Sequence, residues 1–149
     1  LHHLAGYPQD MKDMRKCFIP LFIMLLLLFC RCGSDKESDR FELLTGPVWA
    51  SDSLLVNGAD AGGPGQLLYK FKGDAKFNKD GTGTFGKYTG TWWFTESQTQ
   101  IVISSDSLLI PLTTRIIELT TSSLKIRTAV PDPVNLPNQL QIRMTFKAK

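Results

Sequence analysis

Beyond position 32 this 149-residue chain has no histidine and no cysteine: His2, His3, Cys17, Cys30 and Cys32 are all there are. A folded region without imidazole or thiol cannot build a disulfide, a Cys/His zinc site, a Ser-His-Asp triad or a cysteine nucleophile. Charge of one sign is also lacking. Setting aside everything through Cys32 leaves 13 of the 17 basic and 12 of the 14 acidic residues. No basic stripe is therefore expected, and no nucleic acid partner. Long apolar runs are missing as well. The segment Phe18 to Phe29 is twelve residues, whereas a membrane-spanning helix needs about 20.

A run of that length does suit an export signal, which needs only about 7 to 15 apolar residues behind a positive start. Lys12, Arg15 and Lys16 supply the charge, and either Met11 or Met14 would begin the signal, leaving residues 1–10 as upstream leader. The run ends in Cys30-Arg31-Cys32, as bacterial lipoprotein signals end in a cysteine that takes the lipid. The processing peptidase prefers a small residue just before that cysteine. Cys30 follows Phe29 and Cys32 follows Arg31, so neither meets the preference. The apolar approach favours Cys30. The stretch after Cys32, Gly33-Ser34-Asp35-Lys36-Glu37-Ser38-Asp39, resembles the mature start of Bacteroidetes lipoproteins, where an acidic stretch signals transfer to the outer face of the outer membrane. The expectation is a cell-envelope protein held to the outer membrane through lipid on one of these two cysteines and displayed at the surface. Its parts are a leader and signal over 1–32, a flexible polar tether over 33–40, and one folded domain over 41–149.

Within the domain, side chains alternate. Leu140, Ile142, Met144 and Phe146 oppose Gln141, Arg143, Thr145 and Lys147, and Leu124, Ile126, Thr128 and Val130 oppose Lys125, Arg127 and Ala129. Leu67, Tyr69 and Phe71 repeat the pattern. Such alternation predicts half-buried antiparallel strands. Further strands are expected over 48–56, 75–77, 82–88, 91–95, 100–103, 108–112 and 115–119, with no helix after residue 45. Short turns at Asn78 to Gly81, Glu96 to Gln98, Ser104 to Asp106 and Thr121 to Ser123 make a meander. Closing such a meander into a barrel removes its exposed edges. The fold class is thus all-β, a small up-and-down barrel of about eight strands. Two connections are long: Asn57 to Gly65, with four glycines and a proline, and Pro131 to Asn138, with three prolines.

The series Leu44-Thr45-Gly46-Pro47-Val48-Trp49, Tyr69-Lys70-Phe71, Asn78-Lys79-Asp80-Gly81-Thr82, Gly90-Thr91-Trp92 and Glu118-Leu119-Thr120 resembles the lipocalin-like domains of Bacteroidetes lipoproteins. The likeness covers roughly residues 41–149, and the chain departs from it by placing two residues between Gly46 and Trp49 instead of one. The resemblance implies an eight-stranded barrel with no common ligand.

Several motifs tempt. Gly81-Thr82-Gly83-Thr84-Phe85-Gly86 matches the dinucleotide fingerprint and nearly matches the phosphate loop, but both chemistries need a helix to follow, and none is expected. Asn78-Lys79-Asp80-Gly81 starts like a calcium loop, yet Thr89 stands where the bidentate Glu belongs. No cofactor and no metal are expected. Glu96 and Glu118 are the carboxylates nearest strands, and Glu118 should face water. No pair converges, so no enzyme activity is expected. Trp92 and Trp93 must point to opposite faces of one strand. The ligand-binding candidates are Trp49, Tyr69, Trp92, Trp93, Pro133 and Leu136, at or near a barrel mouth, for a small apolar or amphiphilic ligand. The alternative is an interaction protein docking a protein or glycan partner.

Overall fold

The computed structural model describes residues 34–149, and side chains from Asp39 onward. The segment expected to carry the export signal, with Cys30 and Cys32, lies outside the described residues. Helix α1 (Ser34–Thr45) leads into nine strands: β1 (Trp49–Val56), β2 (Ala59–Asp60), β3 (Asp74–Phe77), β4 (Thr82–Phe85), β5 (Tyr88–Thr95), β6 (Gln100–Ser104), β7 (Leu112–Leu119), β8 (Ser123–Pro131) and β9 (Gln139–Ala148). All pairings are antiparallel. β1 and β3 to β9 form a ring of eight, closed where Trp49 to Val56 pairs with Ala148 back to Ile142. The short β2 adds to β1 at its far end. The expected closed meander is therefore the fold.

The alternation read from the sequence sets the two faces. Ile142, Met144 and Phe146 on β9 and Leu124 and Ile126 on β8 are buried inside, while Arg127, Gln141 and Arg143 face out. Two bulges, between Ser51 and Ser53 on β1 and between Ile116 and Glu118 on β7, shift the alternation by one. The second leaves Ile117 exposed and sets Glu118 outside against Lys125 at 3.1 Å, the solvent side that its alternation predicts. Gly83 points inward, where a Cβ would strike the Phe85 ring, so the ring folds over the glycine. Gly86, with φ 63°, opens the two-residue Gly86-Lys87 turn between β4 and β5, the type II′ pattern.

The strand expected over 82–88 breaks at the Gly86-Lys87 turn into β4 and the start of β5, β2 lies within the expected 57–65 loop, and three further segments differ from the sequence expectation. The polar stretch from Ser34, expected to be a flexible tether, is helical and runs on through Phe41 and Leu44. Its Lys, Glu, Arg and Leu content favours a helix, and Gly46-Pro47 ends it, with the Gly46 amide donating to the Glu42 carbonyl. The strand expected around Leu67 to Phe71 is instead a turn followed by a 3-10 helix over Tyr69–Phe71. Leu68 and Phe71 are the buried residues there, three apart, which is the spacing of that helix. The expected strand at 108–112 is a bend. The Leu108 amide donates to the Ser105 carbonyl, Pro111 has no amide to give a ladder, and β7 starts only at Leu112.

Helix α1 sits on the end of the barrel where β1 starts. The indole N–H of Trp49 donates to the Leu44 carbonyl at 2.9 Å, and Phe41 packs on Trp92 with ring centroids 5.9 Å apart. Lys76 Nζ donates to the carbonyls of Thr45, Gly46 and Pro47 at 2.7, 2.7 and 3.1 Å. A cation on the last carbonyls of a helix satisfies groups that have no intrahelical partner and complements the helix dipole. Replacing Lys76 by Met should therefore destabilise the domain by about 2 kcal/mol and raise amide exchange across 39–45 more than in β6. Equal protection of the helix in both proteins, by hydrogen-exchange mass spectrometry, would refute this role.

Candidate functional site

The structure places the six candidate residues in four separate surroundings. Trp49 is 0% exposed, in the core behind α1. Trp92 is also buried, its indole N–H donating to the Asn78 carbonyl at 3.0 Å and its ring edge-on to Phe77 and Phe94 at 5.5 and 5.3 Å. Both indoles thus seal the helix end instead of lining a mouth. Tyr69 lies at the opposite end, half-buried, with the Lys87 ammonium 3.9 Å from its ring centroid. That ammonium also holds the Tyr69 phenol below its ordinary pKa. Pro133 and Leu136 sit in the β8–β9 loop at this same end, and both are exposed. Trp93 is on the outer wall, 46% exposed, opposite Val102 in register.

Among the described residues the barrel interior is filled. Phe71, Phe77, Phe85, Ile126, Met144 and Phe146 are among the side chains surrounding a space of about 10 Å³, the room of one water; ligand pockets run to several hundred. The far end is closed as well. Ala61, Leu68 and Phe71 are buried there, the Leu68 amide donates to the Ala61 carbonyl, and the Lys87 amide donates to the Lys70 carbonyl at 2.7 Å. Burial of the neighbouring Tyr88 raises its phenol pKa.

Carboxylates are largely taken by structural roles. Glu42, Glu118, Asp52 and Asp74 pair with Lys79, Lys125, Lys147 and Lys149 at 2.8 to 3.1 Å. The Ser123 hydroxyl, followed by Lys125, holds Glu118 below the usual carboxylate range. Asp60 and Asp132 accept from the Gly62 and Val134 amides two residues on, the local bond that makes Asp a turn residue. Among the described residues no three His, Cys, Asp or Glu side chains cluster to hold a metal. The glycine motif over 81–86 lies in a hairpin of β4, with no helix behind it.

Asp80 closes the β3–β4 turn. It accepts from the Thr82 hydroxyl at 2.6 Å and from the Thr82 amide at 2.9 Å, and these bonds, the hydroxyl foremost, hold its carboxyl below the ordinary value. The calcium-like Asn78 to Gly81 stretch is thus a turn in which the Asp80 carboxylate bonds to Thr82 while the Asn78 and Gly81 carbonyls accept from Trp92.

No protein-family model matches the chain, and no curated protein matches it.

What the sequence reading missed is the rest of the far rim, beyond Pro133 and Leu136. The β6–β7 and β8–β9 loops are neighbours on that rim. They carry Leu109, Ile110, Val134 and Leu136, all exposed, with Val134 at 93%. Leu67, also exposed, stands on the connection from β2 to β3 at the same end. The run Leu108-Leu109-Ile110 reads as strand from hydrophobicity alone, which hid its exposure. The Pro-rich loop gave the better signal, because prolines at 131, 133 and 137 keep apolar side chains between them out of a ladder.

Two outcomes follow. A fatty acid titrated into the full chain should show no stoichiometric uptake and no change in Trp emission; saturable binding with a shifted emission would contradict a filled interior. Thr82→Ala should raise the Asp80 pKa toward its ordinary value by NMR titration. A carboxyl depressed in the folded state stabilises above its unfolded pKa and loses that contribution as pH falls through the folded one. The variant should therefore show less acid-sensitive loss of stability than the parent, and an unmoved Asp80 titration would refute the assignment.

Proposed function

We propose that the protein is a lipid-anchored cell-envelope interaction module, a non-catalytic barrel of the lipocalin-like lipoprotein type that docks a protein partner through its far rim. The observation that carries this reading is the set of exposed apolar side chains on adjacent loops, Leu109, Ile110, Val134 and Leu136. Soluble surfaces rarely gather such residues unless something covers them. The rim is at the end of the barrel opposite α1. The filled interior argues against capture of a small apolar ligand as the main role, and the structural employment of the carboxylates supports a non-enzyme.

Two measurements test it. Labelling with an alkyne fatty acid in a bacterial host should be lost in either Cys30→Ser or Cys32→Ser and retained in the other; no label in the parent chain removes the anchor. A photo-crosslinking residue at Leu109 or Val134 should give one discrete adduct with an envelope protein, and one at Lys125 none. Leu136→Ser should weaken the adduct about tenfold, the loss of one apolar anchor of about 1.4 kcal/mol. Crosslinks to lipid alone would replace protein docking by insertion of the loop tips into a membrane.

A further inference from the structure

Arg115, Arg127 and Arg143 stand side by side on the outer wall. Arg115 on β7 is the direct register partner of Arg127 on β8, and Arg127 is the partner of Arg143 on β9. All three are exposed. With strands about 4.8 Å apart, three guanidinium groups start from Cα positions spread over about 10 Å. Like charges placed opposite each other destabilise a sheet. Elsewhere on this surface four lysines, Lys79, Lys125, Lys147 and Lys149, each pair with a carboxylate. Among the described residues none of the three arginines has an ion pair. The near-neutral balance of the folded part conceals this row, and the expectation of no basic stripe is corrected locally.

Two features beside the row point to the kind of ligand. An open cleft of about 340 Å³ is bordered by Arg127, Arg143, Gln141, Asn57 and Gly58, and also by Leu55 and Ile142, so the row adjoins a concavity that holds two side-chain amides beside apolar groups. On the other flank is Trp93. Its partner Val102 pairs in turn with Thr113, two residues from Arg115 on the same outward face. Val102 is buried although it faces out, as it would be beneath the indole of its cross-strand partner. An exposed indole offers a sugar ring a flat apolar face, and guanidinium groups bind phosphate or sulfate bidentately.

We propose that this wall, from Trp93 across Arg115 and Arg127 to Arg143, binds a saccharide carrying phosphate or sulfate groups. The sugar stacks on the indole and the oxyanions bridge neighbouring guanidinium groups, relieving their mutual repulsion. The same chemistry is offered by a free anionic glycan and by the phosphorylated sugar headgroup of a glycolipid.

The test uses the full chain in detergent. A sulfated heparin hexasaccharide should bind with an affinity that falls as salt rises. The triple variant Arg115→Gln, Arg127→Gln, Arg143→Gln should lose at least about tenfold in affinity while melting at the same or a higher temperature, since like charges have been removed. Trp93→Ala should lose several-fold. The double variant Lys125→Gln, Lys147→Gln, which removes cations paired elsewhere on the wall, should change binding little. Vesicles with and without lipid A separate the sources, read as the difference between them because a lipid anchor would carry the protein onto both: greater uptake with lipid A but no heparin binding assigns the glycolipid, and heparin binding with equal uptake on both vesicles assigns a free glycan. Binding of neither probe, equal losses in the arginine and lysine variants, or equal affinity for a single-stranded oligonucleotide would overturn the proposal. If the triple variant fails to fold, Arg127→Lys alone decides, because it keeps the charge and removes the fork; unchanged affinity contradicts the bidentate role.

Discussion

The pairing of β1 with β9 is the constraint from which the other surfaces take their positions. Until those strands meet, the meander has two open edges, each a row of unpaired amides and carbonyls that would template association. Once Trp49 to Val56 lies along Ala148 to Ile142, every strand of the ring has two neighbours and the inward side chains are committed to one shared core. Closure at eight strands also fixes the diameter at a size that side chains can fill. With Phe77, Phe85, Phe146 and Met144 pointing inward, they fill it. The filled interior leaves the loops of the rim and the outer wall as the surfaces on which the two proposals rest.

The two ends are closed by different means. At one, α1 is held by an indole, an ammonium and an aromatic contact: Trp49 on the Leu44 carbonyl, Lys76 on the helix terminus, Phe41 on Trp92. The polar bonds are directional and the apolar contact excludes water, so the helix is fixed in angle as well as position. At the other end a turn and a 3-10 helix insert Leu68 and Phe71. This leaves the adjoining loops free to carry apolar side chains that the core does not use. Those loops and the arginine row are the places where the surface breaks the usual rules, and sites that break local rules are where function is expected.

Much of the architecture was legible because alternation has a period of two and is hard to mistake in long strands such as β8 and β9. Shorter segments misled. Leu67-Leu68-Tyr69-Lys70-Phe71 satisfies a two-residue period on paper, but the chain used the three-residue spacing of Leu68 and Phe71. The helix over 34–45 was masked by its polar first half, although Gly46-Pro47 is a stop signal of the kind that follows helices. Asn57-Gly58, with φ 48° and 83°, is the type I′ hairpin dipeptide and announced β2 inside what read as one long loop. The candidate aromatics were legible as aromatics but not as core or wall. Whether Trp92 or Trp93 faces inward depends on register with β6. The arginine row was equally hidden, since each Arg is an ordinary outward residue until three strands are aligned.

Hydrogen exchange on the amides that join β1 to β9 tests the closed, filled barrel most directly. The account predicts that amides within Leu54 to Val56 and Ile142 to Met144 exchange as slowly as those pairing β5 with β6, all opening only with the whole domain. Fast exchange confined to β1 and β9, with β5 and β6 still protected, would mean an open sheet with an accessible interior and would contradict it.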